Sequence, residues 1–201
     1  MTEFRLLETM RGTQDGNVFL LHRHLARLSG SAKHLSFSCD LENLRSSVLK
    51  AVEQNQKPSC IRVMLSRNGE FDIEFQPLPS TNPSRIRLSK VRVDSSNPFL
   101  YHKTTNRGVY EESRRGCDSE TEVILFNEKG EITEATIANI AVFREGQWVT
   151  PAVSCGLLPG VMRAELLSRG EIVEGVIRAD ELVPGETVRC FNALRGMFET
   201  K

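Results

Sequence analysis

Between residues 77 and 84 the chain reads Pro77-Leu78-Pro79-Ser80-Thr81-Asn82-Pro83-Ser84. Each proline fixes its own φ and lacks an N–H donor, so neither a helix nor a central strand can run through this stretch. No apolar period survives across it either. The chain must therefore divide here, into a first domain over residues 1–76, a linker over 77–84 and a second domain over 85–201. Asn82-Pro83-Ser84 is not a glycosylation acceptor, because proline occupies its middle position.

Before the break, residues 4–11 (Phe4-Arg5-Leu6-Leu7-Glu8-Thr9-Met10-Arg11) read as a strand. A turn-rich stretch over 12–17 then leads to a hairpin partner at Val18-Phe19-Leu20-Leu21. Leu21, Leu25, Leu28, Ala32 and Leu35 recur at helical spacing and predict a helix with one buried face, which Gly30 weakens locally. Asp40 is placed to cap a second helix carrying Leu41, Leu44, Val48, Ala51 and Val52. Strands follow at 61–65 and 71–75, with Asn68-Gly69 as a two-residue hairpin turn. After the break, strands are expected at 85–93, 122–127, 138–143, 147–150, 171–177 and 187–191, and helices at 104–115 and 161–169. The class is α/β in the broad sense (α+β): a small α+β domain followed by a larger, sheet-rich one.

Composition excludes several functions. The 26 basic and 26 acidic residues cancel, which disfavours a protein held to nucleic acid or to a membrane surface by phosphate contacts. No apolar run approaches the ~20 residues of a membrane span, and the N-terminus lacks the pattern of a signal peptide. The five cysteines are scattered and include no Cys-x-x-Cys pair, the usage expected of reduced thiols in a cytoplasmic protein. His22 and His24 stand two apart, which is not a helical ligand spacing, and no metal site is expected.

Three stretches can carry chemistry. Lys103 ends the apolar, aromatic run Pro98-Phe99-Leu100-Tyr101-His102 and is followed by Thr104-Thr105-Asn106-Arg107. A lysine desolvated in such a setting can serve as nucleophile or base, although most lysines are simply solvated. Glu134 lies among small and apolar neighbours ahead of an apolar strand. It is either a turn-end carboxylate facing water or a buried carboxylate paired with a cation. The loop Gly156-Leu157-Leu158-Pro159-Gly160 opens a helix at Val161-Met162-Arg163, and the free N–H groups of a helix start can hold a phosphate.

In this order, together with Leu7-Glu8-Thr9-Met10-Arg11, His24-Leu25-Ala26-Arg27-Leu28 and Asn192-Ala193-Leu194-Arg195-Gly196, these stretches resemble the class IV pyridoxal-phosphate enzymes (fold type IV). That family includes branched-chain and D-amino-acid aminotransferases and aminodeoxychorismate lyases. The resemblance implies a two-domain architecture with pyridoxal 5'-phosphate between the domains. It implies that Lys103 bonds the cofactor covalently, and that Glu134 keeps the ring nitrogen protonated. Arg27 would bind the phosphate, the backbone of Val161 and Met162 would cradle it, and Asn139 would support the ring site.

Within the family, Tyr101-His102-Lys103-Thr104-Thr105-Asn106-Arg107 and the Phe191–Gly196 string look most like the aminodeoxychorismate lyases. Branched-chain aminotransferases usually place a tyrosine five residues after the lysine, where this chain has Gly108. The resemblance therefore implies a cytoplasmic, homodimeric lyase acting on a small molecule in folate synthesis; the alternatives are a D- or branched-chain amino-acid aminotransferase and a non-catalytic protein of the same fold. Arg107 and Arg195, with Arg11 behind them, are the candidates for the substrate's two carboxylates; taken singly, each is more often a surface or structural arginine. The family's pattern normally begins about 25 residues, a short hairpin unit, further upstream, so part of the small domain's wall is expected to be missing.

Overall fold

A computed structural model describes residues 3–55 and 57–200. The chain divides into two compact units. One runs to Ser80 and takes back His102–Asn106; the other comprises Thr81–Tyr101 and continues from Arg107.

In the first unit, β1 (Leu6–Gly12) is followed by α1 (Leu21–Leu35), α2 (Leu41–Asn55), β2 (Ser59–Leu65) and β3 (Phe71–Gln76). The strands form an antiparallel sheet in the order β1-β2-β3. Leu25, Leu28 and Ala32 of α1 and Leu44, Val48 and Val52 of α2 pack with Leu6, Met10, Ile61, Val63 and Leu65 of the sheet in one core. Each leucine, isoleucine, valine or methionine among them contributes roughly 1.5–3 kcal/mol on burial. Asp40 caps α2 as expected, its Oδ1 accepting the Asn43 N–H at 3.0 Å.

Two local readings of this unit need correction. The expected partner strand at 18–21 shrinks to a single bridge, Gly12↔Val18. Leu20 adopts φ 52°, ψ 33°, and this left-handed residue turns the chain straight into α1. The Asn68-Gly69 hairpin is wider than two residues. The Ser66 N–H reaches Glu70 O at 2.8 Å, enclosing Arg67-Asn68-Gly69, with Gly69 at φ 95° where only glycine is unstrained.

The second unit contains β4 (Arg85–Leu88), α3 (Gly108–Ser113), β5 (Thr121–Phe126), β6 (Ile132–Ala135), β7 (Asn139–Arg144) and β8 (Gln147–Pro151). It continues with α4 (Val161–Ser168), β9 (Val173–Gly175), β10 (Val188–Asn192) and β11 (Gly196–Thr200). They form a three-stranded sheet, β4-β5-β6, and a five-stranded one, β11-β10-β7-β8-β9. Leu166 of α4 packs on Ala141 of β7 and Phe191 of β10, which fixes the helix against the larger sheet. Strand β11 has no counterpart in the sequence reading.

The helix expected over 104–115 forms only at Gly108–Ser113, and the segment before it does not belong to the second domain. Residues 102–106 extend along β1. Leu6 bridges Thr104, the Leu7 N–H reaches Lys103 O at 2.9 Å, and the Thr105 N–H reaches Arg5 O at 2.9 Å. These bonds to a distant strand compete with, and defeat, the local helical pattern. No described helix is long and apolar enough to cross a membrane.

Candidate active site

On β1, side chains two apart share a face, and Leu6, Glu8 and Met10 are all buried on the core side. A carboxylate thus sits between two core hydrophobes, and the facing helix satisfies it. Arg27 on α1 donates from Nε to Glu8 Oε1 at 2.8 Å and from Nη2 to Oε2 at 2.7 Å, a bidentate pair. His24, one turn earlier on the same helix face, lies 2.7 Å from Oε2 through Nδ1. Burial alone would raise the Glu8 pKa. The charge and hydrogen bonds of Arg27, helped by His24, outweigh it and hold the carboxyl down at about 2. Burial pulls the His24 pKa below its ordinary value against the opposing pull of Glu8. The imidazole is therefore neutral at pH 7, with Nδ1–H donating to the carboxylate.

Lys103 belongs to this unit. Its carbonyl is fixed to β1, and on either side the chain is anchored by Thr104 on β1 and by His102, whose Nδ1 lies 2.9 Å from Ser31 Oγ on α1. The His102 ring also stacks against His34, 4.7 Å between centroids. The half-buried lysine thus rises from a main chain that cannot drift.

In the second unit Glu134 lies on β6 and is 5% exposed, so the turn-end, water-facing reading does not hold. Donors from α3, β7 and the loop before α4 approach its carboxylate. Tyr110 Oη donates to Oε1 at 2.8 Å, the Leu158 N–H to Oε1 at 3.2 Å, and Asn139 Nδ2 to Oε2 at 3.2 Å. Asn139 also donates to Leu158 O at 2.9 Å, so it ties the carboxylate to the loop that starts α4. At that start Gly160 is the cap residue, and no described side chain caps the helix. The N–H groups of Val161 and Met162 are thus available to an anion. A β-carbon on Gly160 would fall 1.8 Å from Asn139 Oδ1; only glycine lets the loop and the asparagine coexist.

The three arginines assigned to substrate occupy different settings. Arg107 is engaged within its own unit, Nη2 donating to Thr136 O at 2.6 Å while the guanidinium lies over the Tyr110 ring at 4.5 Å. Arg195 reaches Thr81 O at 2.5 Å and Asn82 Oδ1 at 3.2 Å, bracing the proline-rich segment. Arg11 is exposed at the end of β1.

Glu8 and His24 stand in the quoted motifs without a site role, and Tyr110 is not singled out by the sequence at all. Glu8 had a usable signal, a carboxylate in the apolar row of a strand with His24 and Arg27 three apart on the next helix. Tyr110 had none, since its partner is 24 residues away. Glu122 was also missed as a buried carboxylate; it accepts from Thr136 N at 2.7 Å and from Arg114 Nη1 at 3.2 Å and holds β5 to the turn after β6.

The donor set suits a phosphorylated pyridine. An open helix start and a glycine cradle meet a phosphate, and a buried, hydrogen-bonded carboxylate meets a ring nitrogen. A profile of the class IV amino-transferase family matches residues 5–201, and the chain belongs to that family of pyridoxal-phosphate-dependent enzymes, with the type IV fold. Among relatives, a Schizosaccharomyces pombe protein named "Putative aminodeoxychorismate lyase" is 37% identical over 97% of this chain and 88% of its own. The crystal structure of a "Putative amino-acid aminotransferase" from Mesorhizobium loti superposes with a TM-score of 0.91 at 37% identity, covering 99% of both chains. The 4-amino-4-deoxychorismate lyase of Pseudomonas aeruginosa gives 0.86 at 21% identity, over 98% of this chain and 82% of its own, a likeness of fold.

Proposed function

We propose that the chain binds pyridoxal 5'-phosphate and acts as a 4-amino-4-deoxychorismate lyase, releasing pyruvate and 4-aminobenzoate for folate synthesis. The observation that carries the reaction is the Schizosaccharomyces pombe relative, at 37% identity along almost the whole chain. Cofactor binding is supported by the Glu134–Asn139–Leu158 linkage at an open helix start.

The roles divide as follows. Arg27, held rigid by Glu8, and the N–H groups of Val161 and Met162 bind the phosphate. Glu134 holds a proton at the ring nitrogen, and Asn139 orients Glu134. Lys103 bonds the cofactor through its neutral amine, then takes the substrate's α-proton and returns protons where the leaving group departs. Bound pyridoxal phosphate supplies an electron sink for the negative charge left on the substrate carbon. Arg107, Arg195 and Arg11 are the candidates for the two substrate carboxylates, and aromatisation of the product drives the reaction forward. We expect a homodimer, as is typical of the family.

A second reading, transamination of D- or branched-chain amino acids, is favoured by the Mesorhizobium loti structure. One pair of assays separates them: pyruvate release from aminodeoxychorismate, and amino transfer to 2-oxoglutarate. The wild type should be yellow, and borohydride should reduce the colour irreversibly onto Lys103. Lys103→Ala should show no reducible band. A colourless wild type that takes up no added pyridoxal phosphate overturns the proposal.

A further inference from the structure

Tyr110 takes no step in the proposed reaction, yet its hydroxyl lies 2.8 Å from Glu134 Oε1. We infer that Tyr110 is a positioning residue that holds the Glu134 carboxylate and keeps the shared proton on the cofactor's ring nitrogen. The inference rests on the cofactor reading above and deepens it.

The geometry supplies the hold. Tyr110 Oη at 2.8 Å and the Leu158 N–H at 3.2 Å both donate to Oε1, so donors from α3 and from the loop before α4 fix that end of the carboxylate. The same contacts supply the tuning. Hydrogen bonds to the ionised form make a carboxylate a weaker base. A weak base beside a pyridinium leaves the proton on nitrogen, which is the state that accepts electrons best.

Tyr110 is built to act only as a donor. The residue is 7% exposed and packs with Val93, Leu100 and Leu125. Burial and the nearby Glu134 charge push its phenol pKa far up, so the proton stays on the oxygen. The ring cannot swing away, because the Arg107 guanidinium lies across it at 4.5 Å and is itself fastened to Thr136 O at 2.6 Å. Arg107 thus clamps Tyr110, whatever else it binds.

The test uses the full chain loaded with pyridoxal phosphate carrying 15N in the ring, whose chemical shift reports protonation of that nitrogen. Wild type should give a pyridinium signal, and Glu134→Gln a signal moved to the neutral position. Tyr110→Phe keeps the packed ring and removes only the hydroxyl. Its signal should lie between those two, and its Kd for pyridoxal phosphate should rise about tenfold, a fraction of the range for a charged hydrogen bond. 3-Fluorotyrosine at position 110, a stronger donor, should hold the wild-type pyridinium signal, which excludes a packing effect. A Tyr110→Phe signal superimposed on wild type overturns the inference, as does a fluorotyrosine signal that moves like that of Tyr110→Phe. If Glu134→Gln leaves the nitrogen unchanged, the cofactor reading itself fails, an outcome distinct from failure at Tyr110.

Discussion

Replacing Glu8 with glutamine removes a charge from the middle of the first unit's core while keeping its shape. The carboxylate is 2% exposed, paired bidentately with Arg27 and hydrogen-bonded by His24. Its pKa falls from 4.5 to about 2 on folding. At about 1.4 kcal/mol per pH unit, the ionised group therefore favours the folded state by about 3 kcal/mol at neutral pH. This lies at the low end of the roughly 3–5 kcal/mol lost when one partner of a buried ion pair is removed. Glu8→Gln should lose about that much at pH 7.

The pH dependence has a definite sign. The folded pKa lies below the unfolded one, so the unfolded chain takes up the proton first on acidification. The contribution is complete above pH 4.5 and disappears as pH falls toward 2, where wild type and Glu8→Gln should converge. His24, also lowered, adds a loss of stability as pH falls below 6.5, and the loss is larger in Glu8→Gln, where the carboxylate no longer opposes the shift. Trp148, the sole tryptophan, lies in the second unit, so its fluorescence is the wrong probe. Hydrogen exchange of the β1–β2 amides reads the opening free energy of the first unit directly. A change below 1 kcal/mol at pH 7, or a difference that persists undiminished at pH 2, refutes the reasoning.

Other consequences are simpler to measure. Gly160→Ala drives a methyl into Asn139 Oδ1; the asparagine must leave, and the Kd for pyridoxal phosphate should rise at least about tenfold, one lost charged hydrogen bond. Asn139→Ala removes a donor from both Leu158 O and Glu134 Oε2 and should weaken pyridoxal-phosphate binding similarly in an equilibrium titration while leaving the far-ultraviolet circular dichroism unchanged. Cys190 is fully buried, and burial pushes its thiol up to about 12, so iodoacetamide at pH 8 should label it only on unfolding, well after the partly exposed Cys117.

How much of this was visible in the residues varies with the range of the forces involved. Helices α1 and α2, the β2–β3 pair and the start of α4 follow from period, capping and proline placement, which act over a few residues. The passage between units at Ser80/Thr81 lies among the prolines, but the return of His102–Asn106 to the first unit carries no such mark. Chemistry-bearing residues in motif order (Arg27, Lys103, Glu134 and the loop to Gly160) pointed to the family that the profile and the relatives then established.

Tertiary structure alone decided the rest. Residues 104–106 carry a helical pattern, yet they extend along β1 because the Leu7 and Thr105 amides find partners there nearly a hundred residues away in sequence. Glu8 stands out in the sequence as a carboxylate in an apolar row, but its partners are settled only when α1 brings Arg27 and His24 over it. Tyr110 becomes the donor to Glu134 only when α3 and β6 pack together. A local pattern specifies which face of an element is apolar. Which polar group answers a buried charge depends on where distant elements come to rest, and no short window of sequence holds that information.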